Sequence, residues 1–161
     1  MILVSNDLSS RVLLSDDVCS SMAVHRQRRF WQPERGGLLF ADRSHASRSE
    51  ILISEATPPH STDRSRRNSL EIAHKRCCEE IQDANRRGLL FVGYWHTHPE
   101  ANPSLSQLDV TSFTKNLSDG DHGLTSFLAI VVGSSKSIHD GFACYLITNQ
   151  QHERLSPLEN G

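Results

Sequence analysis

At 161 residues the chain has the length of one domain, enough to bury a workable core. A hydrophobic fraction of 37%, a mean hydropathy of −0.44 and no apolar run near the roughly 18 residues that cross a bilayer predict a soluble globular protein without a helical membrane span. Net charge is −2 with a pI near 6.5, which gives no overall attraction for nucleic acid or membrane, so neither is an expected partner. Ile2-Leu3-Val4 runs at once into Ser5-Asn6-Asp7, without the basic and long apolar regions of a secretion signal, and a cytoplasmic location is expected.

Val12-Leu13-Leu14 reads as a short strand, and Asp16 or Asp17 then caps a helix running to about Phe30. Pro33 stops that pattern. Gly36 to Ala41 reads as a buried strand with Ile51-Leu52-Ile53 as its neighbour. From Glu55 to Arg67 the composition shifts to Pro, Ser, Thr, Asp and Arg, which predicts a loop of about a dozen residues, a functional lip or a disordered excursion. Arg64, Arg66 and Arg67 in it read as a solvated basic face. Asn68 with Glu71 three residues on resembles a capping box, and Leu70, Ala73, Cys77, Ile81 and Ala84 recur at helical spacing until Gly88.

Leu89 to Trp95 is almost continuously apolar, the mark of a central strand covered on both faces. Ser106 to about Leu117 predicts a helix, Phe127 to Val132 and Phe142 to Ile147 two further strands, and residues 149–161 a short tail. Together these elements predict a single α+β domain occupying residues 1–161, with its core at about 10–148. Cys19, Cys77, Cys78 and Cys144 form no C-x-x-C pair and read as buried thiols rather than a disulfide framework. Trp31 and Trp95 read as core residues, Trp95 also as a possible wall of a groove.

The chemistry concentrates at Trp95-His96-Thr97-His98-Pro99. In a strand, a period of two puts His96 and His98 on one face about 7 Å apart along the backbone, a spacing from which two imidazoles can converge on one ion. Pro99 cannot continue the ladder, so both lie at the strand's end. H-x-H alone carries little weight. Ser106-x-x-Asp109 reads as a helix start, Ser106 as cap and Asp109 in the first turn, and such a helix could return the Asp109 carboxylate as a third ligand. Two His and one carboxylate with an open position is a catalytic zinc pattern, whereas a structural site would want four protein ligands. A carboxylate near the metal would serve as base, and Glu34, just before Gly36-Gly37, is the candidate. His25, His45, His60, His74, His122, His139 and His152 read as surface or capping residues. Neither a Walker-type lysine loop nor a G-x-G-x-x-G is present, which argues against a nucleotide cofactor.

Glu34-x-Gly36-Gly37, His96-x-His98-Pro99 and, after six intervening residues, Ser106-x-x-Asp109 together resemble the JAMM motif of JAB/MPN-domain metalloproteases. The resemblance covers roughly residues 10 to 148. It implies a curved mixed β-sheet flanked by helices, one Zn2+ per chain on His96, His98 and Asp109, Glu34 as catalytic acid and base, and Ser106 as oxyanion donor. It further implies hydrolysis of the bond after the C-terminus of ubiquitin or a ubiquitin-like protein. The phrase Gly93 to Glu100 is similar to the bacterial JAB deconjugating peptidases of anti-phage CBASS operons, also called integrative and conjugative element proteins. There the partner is a CD-NTase that an E1/E2-like enzyme has joined to a target. The same motif also fits a peptidase trimming a sulfur-carrier protein, or a non-catalytic scaffold that keeps zinc for stability. The sequence leaves oligomeric state open.

Overall fold

Eight strands close into one barrel in the computed structural model, which describes residues 1–7, 9–43, 49–119 and 124–158. In chain order the elements are β1 (Ile2–Val4), β2 (Arg11–Leu14), α1 (Asp16–Ala23), β3 (Gly36–Asp42), β4 (Glu50–Ala56), β5 (Arg64–Arg66), β6 (Ser69–Glu71) and α2 (His74–Arg86). They continue with β7 (Leu89–Thr97), α3 (Gln107–Asp119), β8 (Ser126–Val132), α4 (Ile138–Gly141), β9 (Phe142–Thr148) and β10 (His152–Pro157). Around the barrel the order is β1-β10-β9-β8-β7-β3-β4-β2, with β1 returning to β2, while β5 and β6 form a separate hairpin. The β2–β4 and β7–β8 pairs are parallel and the rest antiparallel, so the sheet is mixed and the fold is α+β as expected.

The period of two sorts β8 into two cores. Leu128, Ile130 and Val132 point into the barrel, where every one of its strands and α1 contribute: Leu3, Val12, Leu39, Ile53, Trp95, Cys144 and Leu155 meet Val18, Cys19 and Met22. Phe127, Ala129 and Val131 point outward against Phe113 and Leu117 of α3. α2 covers the neighbouring outer face, Ala84 packing on Leu38, Phe40 and Phe91. The site lies on this outer side, between α2 and α3.

Several boundaries differ from the sequence reading. α1 begins under Ser15, whose Oγ accepts from Val18 N at 3.2 Å, and ends at Ala23 rather than Phe30. Beyond it, buried Gln27 takes up the Gln32 and Arg67 carbonyls, an anchorage a continuing helix could not make. Asn68 does not cap a helix: Arg67-Asn68 is the two-residue turn of the β5–β6 hairpin. α2 starts at His74, where the Asp63 carboxylate accepts from Ala73 N at 3.1 Å. The expected loop of residues 55–67 is therefore partly strand. Residues 152–157 of the expected tail are also strand, since β10 pairs with both β9 and β1. Trp95 is buried as expected, but Trp31 is 57% exposed. All four cysteines are free, and Cys78 is exposed rather than buried. His45, His122 and residues 159–161 lie outside the described residues.

Candidate metal centre

A bulge aims the first histidine. β3 pairs Leu39 with Gly93 but Phe40 with Phe91, so Val92 is an extra residue on β7. Before it, Leu89 and Phe91 face outward under α2; after it, Tyr94 and His96 face outward and Trp95 inward. Were β7 regular through Val92 and Gly93, without the bulge, His96 would point into the barrel. Gly93 sits at φ +152°, and a Cβ there would lie 1.9 Å from the Leu128 carbonyl oxygen, so only glycine fits the bulge against β8. β7 ends at Thr97, but His98 N still donates to Val132 O at 2.9 Å, which fixes the second histidine beyond the strand's end.

Glu34 precedes β3 and is held by its backbone. Its N–H donates to Arg66 O at 2.7 Å, and the Ser65 hydroxyl donates to its carbonyl, so the β5–β6 hairpin grips it on both sides. One residue on, Arg35 N donates to Thr97 Oγ1 at 3.0 Å and Thr97 N to Arg35 O at 2.8 Å. Gly36 pairs with His96, and a Cβ on it would meet the Trp95 carbonyl oxygen at 2.3 Å. This close approach brings the Glu34 segment beside the two histidines.

The side chains converge. His96 Nε2 and His98 Nε2 are 3.1 Å apart; His96 Nε2 lies 3.4 Å from Asp109 Oδ1 and His98 Nε2 lies 3.4 Å from Asp109 Oδ2. Tetrahedral zinc with bonds of about 2.0–2.1 Å sets its ligand atoms about 3.3 Å apart, and each of these three contacts is close to that spacing. Glu34 Oε1 is 3.7 Å from His98 Nε2, close but outside the triangle. Glu100 Oε2 stands 3.4 Å from His98 Nδ1, a carboxylate that orients the ring from behind. His96, His98 and Asp109 are the one group among the described residues with three donors able to hold a metal ion.

Ser106 joins the site through Asp109. Its backbone N and its hydroxyl donate to Asp109 Oδ2 at 2.7 and 2.6 Å, and Asp109 N donates back to Ser106 Oγ at 3.1 Å. This reciprocal cap starts α3 and fixes the carboxylate facing the histidines. The hydroxyl proton is committed to Asp109 rather than to the groove.

Burial and charge then set proton affinities. Burial pushes the Glu34 carboxyl up to about 7, against the pull of His98 and with help from Asp109 and Glu100. For Asp109 burial acts the same way but loses to the hydrogen bonds from His96 and His98, which hold the carboxyl well below the usual range. Burial would lower His98, yet Asp109, Glu34 and Glu100 raise it above its ordinary value. Glu34, His96 and Asp109 open onto a groove of about 700 Å³, walled by the β5–β6 hairpin and the start of α2 on one side and by Leu108 and Phe113 of α3 on the other.

Each expected site residue thus lies in this cluster. The sequence reading missed the support: Glu100 behind His98, the hairpin's hold on Glu34, and the buried Gln27, whose Oε1 accepts from Thr97 Oγ1 at 3.2 Å. Only the nearness of Glu100 to His98 could have signalled any of these.

Residues 15–154 match the prokaryotic homologs of the JAB domain. The chain belongs to that family. Three curated relatives of this JAB protein are named CD-NTase/cGAS isopeptidase. One from Escherichia coli is 25% identical over 70% of this chain and 72% of its own. One from Vibrio cholerae is 26% identical over 76% of both, and one from Pseudomonas aeruginosa 32% identical over 62% of this chain and 63% of its own. The solution structure of a protein from Desulfitobacterium hafniense is similar in fold, with a TM-score of 0.68 and 16% identity over 93% of this chain and 94% of that one. No described helix of the JAB protein is long and apolar enough to cross a membrane.

Proposed function

We propose that this JAB protein is a zinc-dependent isopeptidase that removes a CD-NTase or ubiquitin-like protein from the target to which an E1/E2-like enzyme has joined it, in cytoplasmic anti-phage CBASS signalling. The observation that carries this reading is the convergence of His96 Nε2 and His98 Nε2, 3.1 Å apart, on the Asp109 carboxylate, whose Oδ1 and Oδ2 lie 3.4 Å from one and the other, with the Glu34 carboxyl 3.7 Å from His98. The names of the three curated relatives support the substrate class.

His96, His98 and Asp109 would hold the metal, leaving a fourth position open to the groove. A zinc ion held there supplies Lewis acidity, acidifying water and polarising a carbonyl. Glu34 Oε1 takes the proton from the attacking water and delivers it to the leaving amine nitrogen, so that the C–N bond breaks with one water consumed. A carboxyl poised near neutrality can both accept and return that proton. The Ser106 hydroxyl orients Asp109 at rest and turns to the developing oxyanion during attack. Ser106→Ala is therefore expected to keep zinc while turnover falls by about ten- to a thousandfold; unchanged turnover would remove the hydroxyl from the reaction.

The deciding experiment offers the chain a CD-NTase fused through its C-terminus to a reporter protein, with Glu34→Gln and a chelator as controls. Junction cleavage that disappears in both controls is the expected result. Glu34→Gln cleaving at the wild-type rate would discard the base assignment. Zinc-loaded chain that leaves the fusion intact would move the substrate to a sulfur-carrier fusion, and a chain that takes up no zinc would make it a scaffold.

A further inference from the structure

The segment between α1 and β3 exposes what folded chains normally cover. Of the five large hydrophobic side chains exposed among the described residues, Val24 (69%), Phe30 (66%) and Trp31 (57%) belong to it. From Val18 to Pro33 the sequence has no carboxylate, while Arg26, Arg28 and Arg29 are basic. Arg26 turns inward over the Phe142 ring at 5.9 Å, whereas Arg28 and Arg29 are exposed. Gln27 Nε2 ties this segment to the β5–β6 hairpin through Arg67 O, adding exposed Arg66 and Arg67 to the same face. No ion pair among the described residues uses Arg28, Arg29, Arg66 or Arg67.

This surface is preformed. Gln32 N donates to Arg29 O and Arg29 N to Gln32 Oε1, both at 3.0 Å, closing a tight turn that lifts Phe30 and Trp31. Gln27, 1% exposed, anchors the turn by donating to Gln32 O at 2.7 Å. The two rings pack edge to face at 5.1 Å, and the Arg29 guanidinium lies 5.2 Å from the Trp31 ring. Trp31 is three residues before Glu34, so it stands within about 11 Å of the base along the chain. Rigid tryptophan and arginine side chains beside unpaired charge are the composition of binding hot spots.

We infer that residues 24–32, with Arg66 and Arg67, form a docking rim for a folded protein that presents an acidic surface around an apolar centre. This extends the proposed function by saying which face of the chain holds the body of the protein whose C-terminus enters the groove. Charge complementarity selects the partner: the four exposed arginines Arg28, Arg29, Arg66 and Arg67 call for acidic groups, and Phe30 and Trp31 call for an apolar patch at their centre. Nucleic acid fits less well, since base stacking needs an open ring face and Trp31 already carries Arg29 and Phe30.

The test measures binding of a fluorescein-labelled glutamate–leucine peptide to the full chain by anisotropy, which needs no hydrolysis. Arg28→Glu with Arg29→Glu, and separately Trp31→Ala, are each expected to weaken binding about tenfold or more without changing the melting temperature. Equal binding by the variants, no binding by the wild type, or tighter binding of a single-stranded oligonucleotide of equal charge would overturn the inference. On a cleavable folded fusion the same variants should raise KM with kcat unchanged, while a short peptide spanning the junction is cut as before. Equal losses on both substrates would overturn it too. Because the anisotropy result does not depend on turnover, failure of the isopeptidase reading and failure of the docking rim are told apart.

Discussion

Glu34 is 4% exposed, and the hairpin's bonds to its backbone hold it in place at the wall of the groove. That placement has a cost whose sign is fixed. Unfolded, the group titrates near 4.5; folded, burial moves it to about 7. Below both values it is protonated in either state and stability is unaffected. Between them the folded chain keeps a proton that the unfolded chain has lost, so stability falls as pH rises, and the loss is complete above about 7. Metal-stripped Glu34→Gln should therefore be more stable than the stripped wild type near pH 8, by about 3 kcal/mol at most, with the gap closing toward pH 4. Thermal melts across that range check it, and a gap that stays constant with pH would show that the buried charge is not its cause. At this scale the donor residues were legible, because H-x-H in a strand and Ser-x-x-Asp at a helix start each fix a direction. Gln27 was not, since it reaches Thr97 from seventy residues away, and Glu100 was signalled only by its nearness to His98.

Among the elements, the β5–β6 hairpin depends on a buried charge cluster at the start of α2. Arg76 is 5% exposed; it pairs with Asp63, donates to Glu80 Oε1 at 2.7 Å and Pro58 O at 2.5 Å, and reaches Thr57 Oγ1 at 3.2 Å. Asp63 in turn accepts from Ala73 N, so one carboxylate joins the segment leading into β5 to the first turn of α2. Arg76→Ala would leave Asp63 buried without its cation, and a destabilisation of about 3–5 kcal/mol is expected by urea titration. A change below about 1 kcal/mol would mean that the cluster does not hold the hairpin. The strands were read well because each is a short apolar run bounded by turn residues. The Asn68 reading failed because Leu70 and Ala73 fall at helical spacing from Cys77 by coincidence: Leu70 belongs to β6, and tertiary pairing outweighs local pattern. Nothing local predicted that α1 would stop at Ala23, since its end is set by what Gln27 reaches across the fold.

At the scale of the whole molecule, closure was the feature hidden from the sequence. β10 bridges β9 to β1 with only Leu155 buried, a pattern too polar to read as a strand by itself. The candidate metal site draws on the closed frame, because its donors come from two layers: His96 from β7 and His98 just past its end, Asp109 from the first turn of α3. α3 otherwise holds to the barrel chiefly through Phe113 and Leu117. A bound zinc would therefore staple helix to sheet, and because the unfolded chain lacks the assembled triangle, its binding energy would appear as stability. Zinc at a thousandfold excess over its dissociation constant should add about 4 kcal/mol, so chelated wild type is expected to melt several degrees below the zinc-loaded protein. Asp109→Ala removes the only ligand from α3 and should lose both the metal and the zinc-dependent shift, even though two histidines remain. If that variant kept full zinc content and the wild-type shift, the ion would be held by the sheet alone, and the link between metal and α3 would be wrong.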